Sequence, residues 1–175
     1  MGISDAGVRP KAQLERWSVR IRQLVLLRRE CVTPKMIRVT LGGPEHVGFE
    51  SHIADEHVKL LFPDPPEDHT RIPTQNGDRL SWLKPLVPSR DYTVHRYDSN
   101  TGEVDIDIVV HEGGVGSTWA VEAPLGEANW VAGPPRGIRI PDAFPGRCIL
   151  AMRQLFRQLR ADEKRFQRTY VGLCW

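Results

Sequence analysis

The sequence predicts a mainly β domain built as an antiparallel barrel or sandwich. Three observations carry this. Short apolar or alternating runs of strand length recur along the chain, Gly, Pro, Asn and Asp clusters separate them, and only one segment inside that array reads as a helix. The run "EVDIDIVV" (103–110) is the plainest, alternating with period two and rich in β-branched residues.

The elements follow in order. Residues 1–15 read as a flexible polar lead. "WSVRIRQLVLL" (17–27) is the first predicted strand, and "KMIRVTL" (35–41) is the second, closed by Gly42-Gly43-Pro44. "HVKLLF" (57–62) is the third, followed by "PDPPEDHTRIPTQNGDR", whose prolines and polar residues predict a loop. "DYTVHRY" (91–97) is the next strand, joined to "EVDIDIVV" by a turn over Asp98–Gly102. "STWAVEAP" predicts a short helix that ends at Pro124 and Gly126, and "EANWVAGP" predicts a last strand. The domain spans 16–147, and 148–175 is a tail of different character, "MRQLFRQLRADEKRFQR", basic and helix-like or disordered.

Composition sets outer limits. A chain of 175 residues with 40% hydrophobic and 26% charged residues suits one globular domain. A net charge of +2 is too small to argue for nucleic acid. No apolar run approaches the roughly 20 residues of a membrane helix, and "MGISDAGVRPK" has no apolar signal core. Cys31, Cys148 and Cys174 form neither a zinc spacing nor an even disulfide set, which favours a reducing cytoplasm. The spacing of His46, His52, His57 and His69 suggests no metal site, and no Ser-His-Asp or Cys-His constellation emerges.

Two stretches carry chemistry. In "SRDYTVHRYD" (89–98), strand alternation sends Arg90, Tyr92 and Val94 one way and Asp91, Thr93 and His95 the other. An arginine fork suits a phosphate and a tyrosine ring suits a planar group, while a solvated exposed strand explains the same residues without any ligand. In "HEGGVGSTWA" (111–120), glycines precede a Ser-Thr pair at a helix start, and such backbone admits an anion closely. Together the two stretches suit a pyrophosphate with a flat ring attached.

The segments "HVKLLFP", "SRDYTVHRYD", "DIDIVVHEGG", "GSTWA" and "VAGPPRG", with "TPKMIRVTLGGPE" before them, resemble the siderophore-interacting proteins over residues 17–150. These are flavin-dependent ferric-siderophore reductases related to the ferredoxin reductases. The resemblance implies a six-stranded antiparallel Greek-key barrel that binds FAD, with NAD(P)H as electron donor through a following α/β domain. It implies that Arg90 holds the FAD pyrophosphate, that Tyr92 stacks on the isoalloxazine, and that Thr93 bonds near its reactive edge, with Asp91, between Arg90 and Tyr92, as a further coenzyme-binding position. Ile108, Val109, Val110 and His111 would line the flavin, and Gly116, Ser117 and Thr118 would hold the pyrophosphate. Where the family continues with arginine, this chain has His95 and then Arg96. Lys59 and Arg136 match family positions on a cationic cleft for an anionic ferric siderophore, although a solvated surface charge explains either alone.

The tail departs from the family. One legal set of codons for Leu150–Ala161, read one base out of frame, translates as GDETAVPAIAR, similar to the family's own continuation. The expectation is a frame shift near Leu150 that replaces the nicotinamide domain. The function expected is therefore the FAD-binding part of an NAD(P)H-dependent ferric-siderophore reductase in the cytoplasm. The alternative is an FAD-binding module or inactive fragment without turnover.

Overall fold

The computed structural model describes residues 13–53, 56–65 and 68–139. The expectations for most of the lead, and for the tail at 148–175, lie outside these residues.

Six antiparallel strands close into a barrel. They are β2 (Ile21–Thr33), β3 (Met36–Gly42), β4 (His57–Leu61), β7 (Ser89–Asp98), β8 (Glu103–Val109) and β9 (Ala128–Ala132). Their order around the barrel is β2-β3-β8-β7-β4-β9. Only β2–β3 and β7–β8 are simple hairpins, while the β3–β4 and β8–β9 connections pass over neighbouring strands. Helix α1 (Val115–Glu122) lies in the second of these connections.

Alternation explains the core. Leu24 and Leu26, Ile37, Val39 and Leu41, Val58 and Leu60, Val104, Ile106 and Ile108 repeat at every second position and are buried together. α1 adds Ala120 to that core, and the residue capping its C-terminus adds Ala123. The outer face carries the polar partners of the same strands. Arg38 donates to Asp107 at 2.7 Å, Thr40 donates to Asp105 at 2.7 Å, and Arg96 donates to Asp105 at 2.9 Å. Burial works to raise the Asp105 carboxyl, but the hydrogen bonds from Arg96 and Thr40 prevail and hold it below its ordinary value.

Three elements differ from the expectation. β2 begins four residues later than the predicted first strand and runs on to Thr33. The predicted loop after β4 contains a hairpin, β5 (Thr74–Asn76) and β6 (Arg79–Ser81), turning at Gly77-Asp78 with Gly77 at φ +57°. This two-residue turn is the local signal that the proline-rich surroundings obscured. A two-stranded ribbon outside the barrel pairs β1 (Gln13–Arg16) with β10 (Arg136–Arg139). β1 falls where the polar lead was expected to give way to the domain, and its pairing with the far end of the domain leaves no local trace.

The 62–88 connection is anchored by a second apolar cluster of Leu61, Ile72, Val87 and Ala132, against which Leu80 and Trp130 pack. Gln75 ties the hairpin down further. Its amide nitrogen donates to the Val19 and Gly77 carbonyls at 3.0 and 2.6 Å, and its oxygen accepts from the Ile21 amide at 3.2 Å. Ser18 donates to Asp78 at 2.9 Å. The hairpin is thus held as a fixed rim beside the chain entering β2.

Candidate coenzyme site and cationic groove

Strand β7 divides its side chains between two places. Arg90, Tyr92 and Val94 share the row of Leu60 and Val58, which lie opposite Arg90 and Tyr92 on β4. Val94 is buried, Tyr92 is half-buried against the core, and Arg90 is exposed at the end of the row. Burial pushes the Tyr92 phenol up, with the Arg90 charge opposing. Arg90 donates to the Ser89 carbonyl at 2.7 Å and makes no ion pair among the described residues.

Tyr92 runs directly onto the start of α1. A Cβ added at Gly116 would lie 1.9 Å from the Tyr92 hydroxyl and 3.4 Å from Phe62 Cζ. Glycine is required here by close approach. Phe62 in turn packs against Trp119 of α1 at 5.9 Å between ring centroids. Tyr92 and Gly116, singled out in the sequence, are therefore brought together, and Arg90 stands two positions from Tyr92 in the same row of β7.

The loop before α1 has its own order. The His111 amide donates to the Ser117 hydroxyl oxygen at 2.8 Å, and Ser117 is 2% exposed. Its side chain pins the loop and is not open to solvent. Thr118 is exposed, and its amide donates to the Gly114 carbonyl at 2.8 Å, the first hydrogen bond of the helix. Gly114 provides no side-chain cap, so the first-turn amides are left for the backbone or a ligand. Ile108 and Val110 are buried in the core, so any contact they make with a ligand is through backbone, whereas Val109 is partly exposed and His111 exposed.

The other face of β7 borders a groove of ≈ 680 Å³. Asp91 and Lys59 lie opposite each other on β7 and β4 and form an ion pair at 2.6 Å. Thr93 is exposed, opposite His57. Lys59, Asp91 and Arg136 line the groove, so the two basic positions singled out in the sequence share one site. The groove also holds Arg16, Trp17, Arg79 and Trp82, which the sequence did not single out. They arrive through β1 and the β5–β6 hairpin, the elements that were not foreseen.

These features define a class: a six-stranded antiparallel barrel with an arginine–tyrosine strand against a glycine-opened helix start, the flavin-binding barrel of the ferredoxin-reductase type. Residues 25–138 match the model of the siderophore-interacting FAD-binding domain, and the chain belongs to that family. It is 39% identical over 133 residues to the NADPH-dependent ferric-chelate reductase of Escherichia coli, covering 75% of this chain and 52% of that protein. It is 35% identical over 114 residues to the ferric vibriobactin reductase ViuB of Vibrio cholerae, covering 65% and 42%. A crystal structure of a siderophore utilization protein from T. fusca superposes with a TM-score of 0.67 at 35% identity, covering 75% of this chain and 51% of that one. The chain thus spans about half the length of the curated relatives it matches.

FAD is the coenzyme of this family, and the residues present fit it. A half-buried aromatic ring lies against a helix start with no side-chain cap, and the same strand carries an exposed guanidinium that has no ion pair among the described residues. Each matches a different part of a flat ring carrying two phosphates.

Proposed function

We propose that the chain is the FAD-binding part of an NAD(P)H-dependent reductase that frees iron from an anionic ferric siderophore. FAD, when bound, supplies the redox chemistry between nicotinamide and iron. Arg90 and the first-turn amides of α1 hold its phosphates, and Tyr92 orients its ring. Ser117 keeps the 111–114 loop in place by accepting from the His111 amide. Overall, NAD(P)H gives up two electrons and a proton, and two Fe(III) chelates each take one electron to become Fe(II). Iron(II) binds hard oxygen ligands less well, so reduction releases it. No side chain need act as general acid or base.

The observation that carries this reading is the placement of Lys59 and Arg136 in one groove, bordered by the strand that holds Arg90 and Tyr92. A ferric catecholate is an anion, and a cationic groove beside the coenzyme strand concentrates it at the point of electron delivery. The reading sets the reaction in the cytoplasm, the compartment that supplies reduced nicotinamide. Among the described residues no helix is long and apolar enough to cross a membrane.

The test uses the purified 175-residue chain. Added FAD should stay bound through gel filtration and give flavin absorbance with the protein. The loaded chain, reduced anaerobically, should then convert a ferric tris-catecholate to iron(II), trapped by a ferrous-specific chelator, faster than free FAD does. Failure to retain FAD, or a rate no greater than that of free FAD, refutes the reading.

A further inference from the structure

We propose that Arg16 and Arg79 are substrate contacts, and that with Arg136 they form a guanidinium trio supplying most of the groove's attraction for an anionic chelate. The inference rests on the siderophore reading of the groove.

The argument begins with charge. Lys59 is the natural first choice for an anion, but its ammonium already lies 2.6 Å from the Asp91 carboxylate. An arriving anion meets a compensated pair there. Arg16, Arg79 and Arg136 also line the groove and are exposed, and none makes an ion pair among the described residues. Asp78, the other acid of the groove, accepts from Ser18.

The β1–β10 ribbon sharpens the point. Arg16 and Arg136 are register partners, so two like charges project from the same face directly across the ribbon. Such a pair disfavours the ribbon. Three residues along β10 the ribbon compensates its other arginine, with Arg139 donating to Glu15 at 3.0 Å. The ribbon thus carries its acid on the face turned from the groove and none on its groove face, where an external anion would relieve the repulsion.

Arg79 comes from a different element and is held as firmly. It opens β6, whose hairpin is tied to the chain entering β2 by Gln75 and by the Ser18–Asp78 bond. Two arginines from the ribbon and one from the hairpin therefore meet across one groove. Guanidinium forks bond oxygen anions in pairs, which suits the oxygen-rich surface of a ferric chelate.

The experiment titrates a ferric tris-catecholate into the FAD-loaded 175-residue chain and reads the quenching of tryptophan fluorescence, since Trp17 and Trp82 line the groove. FAD affinity is measured in parallel for every variant. R16Q and R79Q should each weaken chelate binding about tenfold at low salt, with a smaller effect at high salt. R79K should restore part of the loss, and FAD affinity should not change. An uncharged ferric chelate should bind the variants and the parent alike. If R136Q weakens binding while R16Q and R79Q do not, the proposal falls and the siderophore reading stands. If FAD affinity falls with chelate affinity in R16Q and R79Q, the two arginines act through the fold and the proposal falls. If the parent chain binds no chelate, both fall together.

Discussion

Replacing Gly116 by Ala should separate folding from coenzyme binding. The new Cβ would lie 1.9 Å from the Tyr92 hydroxyl oxygen and 3.1 Å from Cζ. The hydroxyl must retreat by more than about 1 Å, and the ring must follow it. Alanine is favoured over glycine in a helix by less than about 1 kcal/mol in the first turn, where Gly116 sits, which partly offsets repacking costs of about 1–3 kcal/mol. Net stability should therefore fall by no more than about 2 kcal/mol. Coenzyme binding should suffer more visibly, because the displaced ring is the one assigned to the flavin. An aromatic stack worth about 1 kcal/mol corresponds to about fivefold in Kd, and disturbing the adjoining helix start should bring the loss to about tenfold. Tyr92→Phe removes the atom at 1.9 Å and leaves Cζ at 3.1 Å, a contact that a shift of a few tenths of an ångström relieves. The double variant G116A/Y92F should therefore bind FAD nearly as well as Y92F alone. FAD titration by flavin fluorescence, with urea unfolding of each apo protein, measures both quantities. If G116A binds FAD like the parent, or if Y92F fails to rescue it, Tyr92 is not the residue that positions the ring.

Three further outcomes test the scaffold. Gly102 has φ +69°, and a Cβ there would meet the His46 ring at 2.1 Å, so G102A should cost about 2 kcal/mol in the urea midpoint; an unchanged midpoint contradicts this. Leu60 is fully buried at the centre of the barrel, so L60A should cost about 2–5 kcal/mol, and a loss below 1 kcal/mol would show that the core collapses around the cavity. Asp105 is held below its ordinary value near 3.8, so it stabilises the fold above that pH, and the contribution is lost as pH falls through its lower folded value. D105N should therefore be less stable than the parent at pH 7 by about 1–2 kcal/mol, with the gap closing below about pH 4. A gap that persists unchanged to pH 3 in urea unfolding would mean that the Arg96–Asp105–Thr40 bonds contribute through shape and not through charge.

What the sequence disclosed and what it concealed divide along one physical line. The barrel strands were legible because their burial is periodic: Val104, Ile106 and Ile108 face inward while Asp105 and Asp107 meet Thr40, Arg96 and Arg38 on the outside. α1 was legible because glycines and Pro124 bracket it. The β1–β10 ribbon was not, because its register joins Arg16 to Arg136 over most of the chain, and no local pattern records such a pairing. The β5–β6 hairpin carried a turn signal at Gly77-Asp78, but its strands are too short to show alternation. The site split in the same way. Arg90, Tyr92 and the α1 start were singled out from their own segments, whereas of the groove's lining only Lys59 and Arg136 were singled out.

The strand 89–98 joins these two halves. A β-strand has two faces, and a chain that needs a coenzyme beside a substrate can serve both with consecutive residues. Arg90 and Tyr92 go to the α1 side, and Asp91 goes to the groove, where it meets Lys59. On the proposed reading, coenzyme and chelate are therefore separated by little more than the thickness of one strand. Asp91 then has a function that neither site explains alone. It compensates Lys59 at the strand nearest the coenzyme while the three guanidiniums on the ribbon and hairpin make no ion pair among the described residues, so the groove's positive charge is weighted toward its outer elements. Asp91→Asn should free the Lys59 ammonium and tighten binding of an anionic ferric chelate by about tenfold at low salt, leaving an uncharged chelate unaffected. Weaker chelate binding in D91N would instead mean that Lys59 must be held in place by Asp91 to bind at all.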